Sequence, residues 1–173
     1  PQSVAADYQQ HLGALFTHFH QNPELSHMEV NTAARLAKEL KAAGFDVHTG
    51  IGKTGVVAIM KNGPGPLVMM RADMDGLPVE EKSGLAYASK VKTKDWDGHE
   101  VSVMHACGHD SHTAILMGVA EAMAKHKADI AGEVLFIFQP AEEGPPDGET
   151  GGADQMLAEG IFKSFKPEAV FGL

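Results

Sequence analysis

One cysteine in 173 residues leaves no partner for an internal disulfide, so the fold has to hold without a covalent staple. Basic residues are scarce relative to acidic ones. The net charge of -9 argues against nucleic acid or an anionic membrane as the main partner. No apolar run approaches the roughly 18 residues of a membrane span. The first ten residues, "PQSVAADYQQ", lack both a basic region and an apolar one, so no signal peptide is expected. The expected location is the cytoplasm, or the periplasm if a segment was removed ahead of Pro1. There is no internal repeat and no low-complexity tract.

What is present is ordinary for a globular domain: 43% hydrophobic and 21% charged residues, in a length that suits one domain with a real core. The spacing of Leu12, Leu15, Phe16 and Phe19 predicts a helix over 4–20. "NPELSHME" interrupts it, because the residue before Pro23 is pushed out of the helical region. A second helix is predicted over about 28–43, with Ala33, Leu36, Ala37 and Leu40 as its apolar stripe and Gly44 as its stop. Strands "FDVHT", "GVVAIMK" and "LVMMR" follow, the last two separated by the turn "NGPGP". Residues 76–104 read as irregular loop with short strand. Then come a strong helix, "HTAILMGVAEAMAKH", a fully buried strand, "EVLFIFQ", a short helix, "ADQMLAEGIF", and a last strand, "EAVFGL". Strands alternating with helices predict an α/β domain with a largely parallel sheet.

Three polar clusters fall at element ends. "RADMDG" follows one strand, "QPAEEG" follows another, and "CGHD" opens the long helix. Ligands of open α/β sheets bind beyond the carboxyl ends of the strands, and a helix N-terminus adds backbone N–H groups there. Asp73, Asp75, Cys107, His109, Glu142 and Glu143 can therefore face one crevice. Each cluster alone has a plainer reading. Asp73 and Asp75 could serve a turn, Glu142 and Glu143 could be solvated charges, Asp110 could cap its helix, and a lone cysteine is usually a small buried hydrophobe. Together they concentrate negative charge that needs a cation. Thiolate, imidazole and carboxylate suit zinc, with manganese or cobalt as substitutes, and one cysteine rather than several points to a catalytic site with an open position. Paired carboxylates fit hydrolysis, one binding metal and its neighbour taking a proton from water. His105 and His112 read as supporting residues rather than ligands.

At these residues the sequence resembles the metal-dependent amidohydrolases and carboxypeptidases that include hippurate hydrolases, aminoacylases and auxin-conjugate hydrolases. The matches run in family order: "HQNPELSHME" at 20–29, "TGVVA" at 54–58, "MRADMDGLPVEE" at 70–81, "HACGHDSHTAILMG" at 105–118, "FQPAEEG" at 138–144 and "GGADQMLAEGIF" at 151–162. The resemblance implies a three-layer α/β/α zinc-exopeptidase-like catalytic domain and two divalent metal ions, zinc or manganese. By motif it makes Cys107 the bridge between the ions, His109 and Glu143 ligands, and Glu142 the general base. Asp73, Asp75 and Asp110 would stand behind these, Asp75 orienting a ligand. The implied reaction is hydrolysis of an N-acyl amino acid or small peptide-like substrate by metal-activated water, with a homo-oligomer left open.

The length departs from the family. Its next histidine ligand directly follows the strand matching "AVFGL", and this chain stops at Leu173. The expectation is that residues 1–173 are the N-terminal portion of the catalytic domain, incomplete and without the lid or dimerisation domain. Two other readings stay open at this point. One is a catalytically inactive remnant that binds metal or a partner. The other is a thiol hydrolase with Cys107 as nucleophile, its pKa lowered by the helix N-terminus.

Overall fold

The computed structural model of the protein describes residues 2–173, with side chains from Ala5 onward. The N-terminal helix runs unbroken through α1 (Gln2–Asp7), a π-helical turn (Tyr8–Leu12) and α2 (Gly13–Gln21). After the "NPELSHME" bend comes α3 (Val30–Ala42), stopped at Gly44, whose φ is +91°. Strands β1 (Asp46–Ile51), β2 (Gly55–Asn62) and β3 (Leu67–Asp73) are followed by an excursion carrying the short hairpin β4 (Lys92–Lys94) and β5 (Glu100–Ser102). Then come α4 (His109–Lys125), a 3-10 turn (Lys127–Asp129), β6 (Gly132–Gln139), α5 (Gly152–Ala158), α6 (Ile161–Ser164) and β7 (Ala169–Gly172).

The main sheet has the order β1-β2-β6-β3-β7. It is not the largely parallel sheet that the alternation of elements predicts. β1 and β2 pair antiparallel, as do β2 and β6, whereas β3 runs parallel to both β6 and β7. The reason is local: β1 turns into β2 within residues 52–54, far too few for the crossover that parallel strands need. A second difference falls at 153–162, expected as one helix. Gly160 there adopts φ +93° and splits it into α5 and α6.

Helices cover both faces, giving three layers, α/β/α. The larger core lies between the sheet and the helices α2, α3 and α4, where Phe19, Leu36, Leu40, Met117, Phe136 and Phe138 are buried together. The smaller one packs Val57, Ile59, Leu135 and Ile137 against Met156 and Ile161. Strand β6 alternates between them, which is why "VLFIF" reads as a continuous apolar run: both of its faces are covered. β7 lies at the sheet edge with Val170 and Phe171 exposed. Among the described residues no helix is long and apolar enough to cross a membrane.

Candidate metal centre

Parallel pairing puts the carboxyl ends of β3 and β6 side by side, with Asp73 opposite Gln139. The backbone leaving β3 continues the ladder for one residue, Met74 N–H donating to Gln139 O at 3.1 Å. Asp73 and Asp75 then sit on either side of the buried Met74, both buried themselves. From β6 the chain passes Pro140 and enters the left-handed region at Ala141, φ +47°, before presenting Glu142 and Glu143. The third contributor is the start of α4. Gly108 holds φ +96° at the N-cap position, a left-handed turn that suits glycine. Cys107 and His109 project from either side of it.

Asp75 ties the three turns together. Its Oδ2 accepts hydrogen bonds from Ser26 Oγ at 2.7 Å and from Glu143 N–H at 3.0 Å. Its backbone oxygen accepts from His109 Nδ1 at 2.9 Å, and its Oδ1 stands 3.3 Å from the same nitrogen. A carbonyl oxygen can only accept, so Nδ1 carries the proton and Nε2 is left for a ligand. That Nε2 lies 3.8 Å from Glu142 Oε2, 3.9 Å from Glu143 Oε1 and 3.9 Å from Asp73 Oδ2.

Cys107, His109 and Glu143 each offer a ligand atom, and these three atoms lie within 4.8 Å of one another. Glu143 Oε1 is buried without a hydrogen-bond donor. A buried carboxylate oxygen that faces a thiol and an imidazole completes a donor set for a divalent cation. The electrostatics agree. Burial lifts the Asp73 carboxyl to about 6, against the pull of Arg71 and His109. Burial works the other way on His109, but its hydrogen bonds to Asp75 and the charges of Asp75 and Asp73 raise it to about 9. Asp75 is buried too, yet the bonds from His109, Ser26 and Glu143 hold its carboxyl below the ordinary value. Partial desolvation and the charges of Glu143, Glu142 and Asp73 push the Cys107 thiol up, contrary to the lowering expected from a helix N-terminus.

The structure thus brings together Asp73, Asp75, Cys107, His109, Glu142 and Glu143. Asp110 goes elsewhere. Gly108, not Asp110, occupies the cap position, and Asp110 lies inside the first turn, accepting from Ser111 N–H at 2.7 Å and from His20 Nδ1 at 2.6 Å. Sequence reasoning gave His112 only a supporting role and passed over Ser26 and Glu29. His112 forms a second group with Asp73 and His109, ligand atoms again within 4.8 Å. Its place three residues after His109, on the same helix face, was the available signal. Ser26 and Glu29 lie in the "NPELSHME" bend, which reads locally only as a helix breaker. A third group, Asp95, Asp97 and His99, belongs to the exposed hairpin tip, where Asp95 Oδ1 accepts the N–H groups of Asp97 and His99.

The chain is similar to known hydrolases and peptidases. The chain is 46% identical over 156 residues to thermostable carboxypeptidase 2 of Saccharolobus solfataricus, covering 89% of this chain and 36% of that protein. It is 42% identical over 154 residues to the hippurate hydrolase of Campylobacter jejuni, again with 88% and 36% covered. It is 41% identical over 157 residues to the N-acetyl-L-cysteine deacetylase of Bacillus subtilis, with 90% and 34% covered. The chain therefore spans about a third of the length of the curated relatives it matches. Among solved structures, an aminohydrolase from methicillin-resistant Staphylococcus aureus superposes with a TM-score of 0.85 at 35% identity, covering 99% of this chain and 40% of that one. A dinuclear metal-binding peptidase from Bacillus subtilis gives 0.81 at 36% identity, with 96% and 43% covered. Residues 69–173, which hold every candidate ligand, match the description "Peptidase family M20/M25/M40", and the chain belongs to that family.

Proposed function

We propose that this chain supplies the metal-holding and proton-transferring residues of an amide hydrolase acting on N-acyl amino acids or small peptide-like substrates. The observation that carries the reading is the convergence of Cys107, His109 and Glu143 within 4.8 Å, with Glu142 beside them. Relatives named hippurate hydrolase and N-acetyl-L-cysteine deacetylase support an acyl amino acid as the substrate class. In this reading residues 1–173 are the N-terminal portion of the catalytic domain.

Two divalent ions, zinc or manganese, would be held by Cys107, His109 and Glu143 and would supply Lewis acidity toward the amide carbonyl and water. The chain's own residues do the rest. Asp75 keeps the proton on His109 Nδ1 and so keeps Nε2 open as a ligand. The Glu142 side chain is 42% exposed, reachable by substrate and water yet close to the buried centre. A carboxylate oxygen of Glu142 takes a proton from the attacking water as its oxygen bonds to the amide carbon. The same proton passes to the amine nitrogen as the C–N bond breaks, which returns Glu142 to its starting state.

In the natural full-length protein, Glu142→Gln should lower turnover by roughly 10²-fold or more, the scale of general-base catalysis, with metal content unchanged. Glu143→Gln should lower metal occupancy instead. Equal metal loss in both variants would end this division of roles. A Cys107 nucleophile is the weaker reading, because partial burial and its acidic neighbours hold the thiol protonated.

A further inference from the structure

Glu142 hangs from a backbone conformation that needs explaining. Ala141 is buried and has φ +47°, a left-handed value that residues with a Cβ adopt at a cost. It is held at both ends of its own backbone. Its oxygen accepts from Gly152 N–H at 3.0 Å, and its N–H donates to Glu29 Oε1 at 2.9 Å. A Cβ at residue 152 would lie 1.8 Å from Pro140 O, so the first of these contacts requires glycine. The N–H of Glu143 donates in turn to Asp75. The N–H groups of the two residues on either side of Glu142 are therefore both fixed by buried carboxylates.

Glu29 is the less expected of the pair. It occupies the N-cap position of α3, where an acidic side chain would ordinarily take up the N–H groups of its own helix, yet it makes no such bond. Glu24 does that work from five residues upstream, accepting from Asn31 N–H at 3.1 Å and Thr32 N–H at 2.8 Å. Glu29 is thus released to reach Ala141, 112 positions away in the chain. Its second oxygen accepts from Thr54 Oγ1 at 2.5 Å. The residue is 0% exposed, and among the described residues no cation pairs with it. A buried carboxylate without a cation is costly for a part that only fills space or ends a helix.

We propose that Glu29 is a positioning residue: it holds the left-handed turn at Ala141 and thereby sets the direction in which Glu142 projects, while Asp75 separately holds Glu143. Its importance for turnover rests on Glu142 acting as the base; its hold on the turn does not.

The test compares Glu29→Met with Glu29→Gln in the natural full-length protein, reading kcat, KM, metal content and hydrogen exchange over residues 139–145. Methionine fills the space without an acceptor. It should speed exchange in that segment and lower kcat on the order of 10- to 100-fold, the cost of a misplaced group, with KM and metal content little changed. Glutamine keeps an oxygen for Ala141 N–H and can donate to Thr54 Oγ1, so it should recover most of the loss. Adding Ala141→Gly to Glu29→Met should also restore part of kcat, since glycine takes a left-handed φ without penalty; faster exchange confined to 139–145, with the rest of the chain unchanged, separates this from a role in general stability. If Glu29→Met does not fold, Thr54→Val gives the milder comparison, removing the donor that orients Glu29. Unchanged exchange and kcat in these variants, or a Gln variant as impaired as Met, would overturn the proposal. Glu142→Gln, assayed in parallel, separates the two ideas. Full turnover in that variant would remove the base assignment, while exchange over 139–145 would still decide whether Glu29 holds the turn.

Discussion

Asp75→Asn asks how much of the centre depends on one carboxylate that touches no substrate. Asp75 Oδ2 takes two hydrogen bonds, from Ser26 and Glu143, while Oδ1 faces His109 Nδ1. Asparagine has one acceptor oxygen. Placed at the Oδ2 position, that oxygen keeps both bonds but sets an NH2 group against His109 Nδ1–H, donor against donor. Turned over, it serves His109 and abandons Ser26 and Glu143. Either way a buried donor loses its partner, at about 1–3 kcal/mol, and the remaining charge-assisted bonds weaken by about half. The sum is on the order of 2–4 kcal/mol, or roughly 4–16 °C in the thermal midpoint of a domain this size. Because the Asp75 carboxyl is held below its ordinary 3.8, this contribution is present above pH 3.8 and fades as the pH falls through the folded-state value. The variant's deficit should therefore shrink in acid. Zinc affinity should fall about 10- to 100-fold, since His109 loses the partner that fixes its proton. Thermal melts at pH 7 and in acid, with a competition titration against a chromophoric chelator, measure both effects. An Asn variant with the parent's midpoint and zinc affinity would show that Asp75 organises nothing.

Three further outcomes are expected. His20 lies between Asp110 and Glu81, two acceptors that outweigh burial and raise its pKa. Its contribution should be full below pH 6.5 and lost as the pH rises through the folded-state value, so the thermal deficit of His20→Gln should narrow as the pH is raised above 6.5; a constant deficit would contradict this. At pH 7 both His109, at about 9, and the raised Cys107 thiol are protonated without metal. Calorimetric titration of zinc in buffers of different ionisation enthalpy should therefore find about two protons released when the site loads, and a value near zero would mean that these residues are not the ligands. Phe171 on the β7 edge is 59% exposed, so the 173-residue chain should associate on sizing chromatography and Phe171→Lys should reduce that; a parent chain that stays monomeric at high concentration would argue against it.

The candidate centre was legible because its residues are short-range in type and long-range only in address. "DMDG", "CGHD" and "EEG" each sit at an element end that apolar patterning locates, and a sheet gathers such ends along one edge. Strand direction was less legible. The pattern of β1 and β2 is the same whether they pair parallel or antiparallel, and only the shortness of their connection decides it. Asp110 misled because an acidic residue near a helix start looks like a cap, whereas His20, 90 positions away, claims it. Glu29 was invisible for the same reason: what it serves, Ala141 N–H, lies at the far end of the chain and has no side-chain signature.

The excursion between β3 and α4 is closed at its base, where Leu77 and Met104 exchange backbone hydrogen bonds at 2.9 and 3.1 Å. That clasp separates two kinds of tolerance. Below it, β3 and β6 are locked in register, and adding one residue to either strand would turn every following side chain to the opposite face. Above it, the exposed residues 97–99 at the tip could vary in number without shifting Asp73 relative to Gln139, whereas Trp96 beside them donates to Ser26 O at 3.1 Å and has to keep its place. Inserted reporters, tags or recognition loops belong at that tip, where the protein has room to vary what surrounds its chemistry while leaving the chemistry where it is.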